Sequence, residues 1–149
     1  MAGADFQRNA RRNPGGRRVT NTRVVAGPGF RICFDDEPDY LRAYVFDGSD
    51  SVEVSSAMWH LLGDECRARG AYRLLVLEDL LSTVEVPQIG QVVDAMFDAG
   101  LADIRIAFVE LRDDIQGSEI GESMCLERGM VIRIFSQEPQ ARRWLIYGD

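Results

Sequence analysis

Glu78 and Asp79 close the apolar run LLVL, and Glu110 closes IRIAFV, so three carboxylates stand where two apolar segments give way to polar ones. Magnesium prefers a few carboxylates plus water, and such an ion could serve phosphoryl transfer or hydrolysis. The rest of that apparatus is missing. The chain has no lysine, no G-x-x-x-x-G-K loop and no G-x-S-x-G elbow, so arginine alone would have to handle phosphate. His60 is the one histidine, which excludes any centre built on two. Helical geometry sets it about 200° from Met58, on the solvent side and facing Asp64. Cys33, Cys66 and Cys125 are odd in number and widely separated, with no C-x-x-C pair, and read as reduced core residues. No catalytic residue, metal or cofactor is therefore predicted, and a Mg²⁺-dependent enzyme using Glu78, Asp79 and Glu110 stands as the alternative to a binding protein.

Those carboxylates belong to an acidic body with a basic leader. Six arginines against one aspartate give residues 1–23 a charge of +5, so the remainder carries -12 for the whole chain to reach -7. Pro14, Gly15, Gly16 and several asparagines in this stretch offer little to bury, which predicts a flexible arginine-rich tail over 1–29 and a single domain over 30–149. Such a tail could hold an anionic surface without specificity. The strongly acidic body and the lack of interleaved tyrosine or tryptophan argue against nucleic acid. Neither a membrane-length apolar run nor a secretory leader is visible, and the cysteine usage agrees, so a cytoplasmic location is expected.

Periodicity supplies the elements that position the acids. FRICF (30–34) and LRAYVF (41–46) alternate around the DDEPD turn, which predicts an antiparallel hairpin of half-exposed strands. LLVL (74–77), IRIAFV (104–109) and VIRIF (131–135) are denser, and a helical pattern precedes each. That alternation predicts parallel strands joined by crossover helices. The helices are expected near 52–69, opened by Asp50 and Glu53 at capping-box spacing, near 87–99, and near 115–128, where Gly117 and Gly121 permit close approach to the sheet. A last helix is expected to be capped by Ser136, with Pro139 in its first turn and Ala141, Trp144 and Leu145 inward. Trp59, one step from an apolar stripe, is a candidate for partner contact, although packing at the edge of the core is favoured. The expected fold is α/β: a five-stranded, mostly parallel sheet with an N-terminal antiparallel hairpin and four helices.

The order of these elements, together with Val131, Arg133 and Phe135 in V-x-R-x-F and Ala141, Trp144 and Leu145 in A-x-x-W-L, resembles the SpoIIAA-like domains of the STAS superfamily over about four fifths of the chain. The resemblance implies a noncatalytic regulatory or scaffolding module, which in the best understood relatives is switched by a phosphoserine between the third strand and the next helix. The matching segment is LSTVEVPQIG, Leu81 to Gly90. Leu81, Ser82 and Val84 fit the pattern, but Gln88 and Ile89 stand at its aspartate and serine, so the usual phosphoacceptor is missing. Ser82 and Thr83 are the substitutes within the same loop, although hydroxyls before a helix usually serve as caps or turn residues.

In such a sheet, ligands gather beyond the carboxyl ends of the strands. The loops there should carry Asp47, Asp50, Glu78, Asp79, Glu85, Glu110, Asp113 and Asp114 to one rim, with Arg112 as counterweight, and helix dipoles account for much of that polarity. The predicted contact residues are Asp47, Glu78, Asp79, Ser82, Thr83, Glu110 and Ser136. An acidic rim favours a cationic partner surface, so a protein partner or a small ligand is expected.

Overall fold

A computed structural model describes residues 22–112 and 115–148. The elements run β1 (Thr22–Gly27), β2 (Phe30–Asp36), β3 (Leu41–Phe46), α1 (Val52–Arg69), β4 (Arg73–Glu78), a 3₁₀ turn (Val86–Gln88), α2 (Ile89–Asp98), a second 3₁₀ turn (Leu101–Asp103), β5 (Arg105–Glu110), α3 (Ile115–Glu127), β6 (Val131–Phe135) and α4 (Glu138–Tyr147). Among the described residues the class is α/β, with a mixed sheet and four helices. They form six strands, not five.

The extra strand comes from the segment assigned to the tail. Thr22–Gly27 pairs antiparallel with β2, Thr22 opposite Asp35 and Gly27 opposite Phe30. Its apolar content is slight, but Val25 lies against the core and Thr22 donates to the Asp35 carboxyl. Residues 22–27 thus belong to the sheet, and the rest of the expected tail, residues 1–21, lies outside the described residues. With β1 on its outer side, β2 is an interior strand. Cys33 is accordingly buried on the face opposite Phe30, Ile32 and Phe34, so β2 is not half-exposed as its alternation predicts.

The strands lie in the sheet in chain order, β1 to β6. The first two pairings are antiparallel, and those of β3 through β6 are parallel. Because each crossover steps the same way with one hand, the crossover helices fall on one face. Met58, Leu62 and Cys66 of α1, Val93 and Met96 of α2 and Cys125 of α3 share one core with Ile32, Phe34, Leu74, Val76 and Ile106. Of the described helices only α4 lies on the other face, where Ala141, Trp144 and Leu145 cover Leu75, Leu77, Ala107 and Val109. Arg105 lies over the Trp144 ring, 3.9 Å from its centroid, and donates to the Trp144 carbonyl at 3.0 Å. Among the described residues, no helix is long and apolar enough to cross a membrane.

Helix bounds follow the periodicity, but several caps do not. Ser51, not Asp50, caps α1: its hydroxyl accepts from Val54 N, while the Asp50 carboxyl accepts from Ser51 N and Ser55 Oγ. Ser136 does not cap α4. The chain is extended at Gln137, which occupies that position without a side-chain bond, and Pro139 sits in the first turn as expected. Gly121 faces α2 and not the sheet, and a Cβ there would make only ordinary contact, 3.7 Å from Ile89 Cγ2, so no close approach requires glycine at this position.

Candidate functional site

The parallel strands bring the ends of β3, β4, β5 and β6 to one rim. Backbone bonds lock the loops leaving it: Asp79 N donates to Val45 O, Leu81 N to Gly48 O, Asp50 N to Leu81 O and Leu111 N to Glu78 O. A parallel bridge between Ser49 and Leu81 continues the β3–β4 ladder into these loops. Two residues take left-handed backbone to make the turns, Asp47 (φ 65°) and Ser82 (φ 62°). That conformation strains a side chain other than glycine or asparagine, and it is held here by the bonded loops on either side.

Strand alternation then divides the acids between two faces. Glu78 and Glu110 are register partners on β4 and β5 and point toward the helices α1 to α3, where they are only 8% and 5% exposed. Glu110 accepts from Arg112 N at 3.0 Å and from Ser118 Oγ at 3.4 Å. Asp79, one residue further along, faces the opposite side, accepting from Tyr44 Oη at 2.5 Å and from Arg112 Nε at 2.8 Å. The Tyr44 hydroxyl, with help from Arg112, holds the Asp79 carboxyl below its ordinary range. Burial, then the bond to Asp79, pushes the Tyr44 phenol up to about 12. A period of two therefore keeps Glu78, Asp79 and Glu110 from converging on one cation. Among the described residues, no group of three or more His, Cys, Asp or Glu side chains could hold a metal ion.

The other predicted residues are dispersed along the same rim. Asp47 is exposed and paired with Arg31 at 2.9 Å, and the Arg31 guanidinium also lies over Phe46. Ser82, Thr83 and Ser136 are exposed on their loops. Asp113 and Asp114 lie outside the described residues. Leu81, Val86 and Leu111 on the loops after β4 and β5 are exposed as well, at 53%, 58% and 43%. The rim thus presents apolar side chains among acids.

Beneath it lies a cavity of about 90 Å³ that sequence reasoning missed. Trp59 and Phe108, with ring centroids 5.9 Å apart, form part of its wall together with Val93, Met96, Cys125 and Ile132. Trp59 is buried in the core, in line with the expected packing at its edge and not with partner contact, and its ring borders this space. The polar lining comes from Asp50, Ser55, Glu78, Ser118 and Glu122. Glu122 accepts from Ile134 N at 3.1 Å, which satisfies an outward amide on the edge strand β6. Its spacing from Ser118, one helical turn, was the available signal. Burial pushes the Cys125 thiol up to about 11, so it lines the cavity as an apolar group.

No protein-family model matches the chain, and no curated protein matches it by sequence. One solved structure, the MdcD–MdcE heterodimer of Pseudomonas malonate decarboxylase, superposes with a TM-score of 0.43 at 14% identity, covering 95% of this chain and 68% of that one. A superposition at that level says nothing about chemistry.

Proposed function

We propose that the chain is a noncatalytic regulatory or scaffolding module of the SpoIIAA-like, STAS type, which binds a protein partner or small ligand at the carboxyl ends of β3 to β6. The observation that carries this reading is the rim: Leu81, Val86 and Leu111 stand exposed around the Asp79–Arg112 pair on loops tied together by backbone bonds. Apolar side chains fixed among charges suit a partner of complementary charge, because the apolar contacts supply affinity and the acids supply orientation. The single-direction order of β3 to β6 supports the family comparison through the same geometry, since it delivers the successive loops to one lip. The magnesium reading is not retained, because its three carboxylates lie on two faces of the sheet.

A photo-crosslinking residue at Leu81 should trap a discrete partner from the protein's own lysate, and the same residue at Tyr147 should not. Leu111→Arg should remove the adduct, and Asp79→Asn should weaken it and lower its salt dependence. Adducts of equal yield from Leu81 and Tyr147, or no response to either substitution, would overturn the rim. Glu78 and Glu110 are poor probes, since both are buried and their replacement would act on the fold.

A further inference from the structure

We propose that Glu122 and Arg133 close the β6 margin of the sheet to strand addition, and that a second copy of this chain pairs with β6 once they are replaced. β6 is the outermost strand on its side among the described residues, and it is 5 residues long. A margin of this kind presents backbone donors and acceptors that template pairing with another chain, unless something occupies or repels them. Here the Glu122 carboxyl reaches from α3 and accepts from Ile134 N at 3.1 Å. Backbone groups alternate in direction along a strand, so Ile132 and Ile134 turn theirs to the margin while Val131, Arg133 and Phe135 turn theirs to β5. Glu122 thus holds the donor at Ile134 and sets a carboxylate where the carbonyl of an added strand would have to stand. Two acceptors cannot share that place.

The register supplies the second element. In a two-fold antiparallel pairing of β6 with its copy, Ile132 of each strand faces Ile134 of the other, and each such pair exchanges both of its backbone bonds. Arg133 then falls on the axis, opposite its own copy, in a pair without backbone bonds whose Cα atoms stand only about 4.5 Å apart. Like charges directly opposite each other oppose pairing. Arg133 is exposed and shares a face with Phe135, its guanidinium 5.5 Å from that ring's centroid. The side chains of Ile132 and Ile134 pack on the other face, against the core under the helices, and keep those contacts when the margin is paired. Neither element touches the rim, so the inference stands apart from the binding reading.

The test is self-association of the full chain by sedimentation velocity, with hydrogen exchange of the Ile134 amide read by NMR. Glu122→Ala/Arg133→Thr should associate at least about tenfold more tightly than the wild type, and Glu122→Ala alone by less. Glu122→Gln keeps an acceptor for Ile134 N and should behave as the wild type. The Ile134 amide should be protected in the wild type, exchange freely in dilute Glu122→Ala/Arg133→Thr, and regain protection as concentration rises. Mixing Glu122→Ala with Glu122→Ala/Arg133→Glu should give a mixed pair about tenfold tighter than either protein with itself, since the axis then carries opposite charges. Association of the double variant no tighter than that of the wild type, or association indifferent to the charge at position 133, would overturn the proposal. So would Glu122→Gln associating as Glu122→Ala does. Free exchange of Ile134 in the wild type would overturn it without any variant being needed.

Discussion

Gly63→Ala should destabilise the protein, although the same change inside a helix ordinarily helps. Position 63 lies well within α1, so propensity alone favours alanine by about 1 kcal/mol. The new methyl, however, would sit less than 3.0 Å from the Ala99 carbonyl oxygen and 3.1 Å from the Ala99 Cβ, at the end of α2. That oxygen is backbone, and it also accepts from Arg67 Nη1, so separating the helices strains a bond worth about 1 kcal/mol on top of an overpacking cost of about 1–3 kcal/mol. The balance is a net loss of about 2 kcal/mol. With a urea slope of about 2 kcal/mol/M for a domain of this size, the unfolding midpoint should fall by about 1 M at unchanged slope. A Gly63→Ala protein as stable as the wild type would mean that α1 and α2 do not approach this closely.

Three further outcomes follow from individual contacts. Two hydrogen bonds from Arg42, at 2.7 and 3.0 Å, hold the Glu138 carboxyl below its ordinary 4.5, so its contribution is present above that pH and is lost as pH falls through the lower folded value. Urea unfolding at pH 7 and pH 3 should therefore show the deficit of Glu138→Gln shrinking toward zero in acid, and a deficit independent of pH would count against the pairing. Tyr44→Phe should raise the titration midpoint of Asp79, read from its carboxyl carbon by NMR, because the phenol is the larger cause of the depression; no movement would assign the effect to Arg112. Burial pushes the Cys33 and Cys66 thiols up to about 12 and Cys125 to about 11, so a disulfide reagent at pH 8 should label none of them in the folded protein and all three in denaturant.

Helix positions were legible in the sequence wherever an apolar stripe at i, i+3 and i+4 determines the buried face, as with Ile89, Val93 and Met96 of α2. Dense runs such as LLVL likewise mark strands covered on both sides. TRVVAG could not be read in this way, because its stability as β1 comes from pairing with β2 and from one hydroxyl–carboxyl bond, neither of which leaves a periodic trace. Caps failed for a related reason. Asp50, Ser51 and Ser136 are all competent residues, and local backbone geometry decided among them. At the rim, counting acids placed Glu78 and Asp79 together, whereas the pleat sends adjacent residues to opposite faces. The cavity is a product of three helices and the sheet meeting at one height, which no single segment encodes.

The order of strands in the sheet bears on how the protein is made. Since each strand pairs with the one synthesised just before it, a nascent chain leaving the ribosome always finds its template already assembled, and no strand has to wait for a distant one. Growth proceeds from one margin to the other, and α4, which emerges after all six strands, leaves Leu75, Leu77, Ala107 and Val109 uncovered until it docks. That interval, between the emergence of β5 and the docking of Trp144, is when the chain is most open to chaperone capture or to association with its neighbours on the polysome.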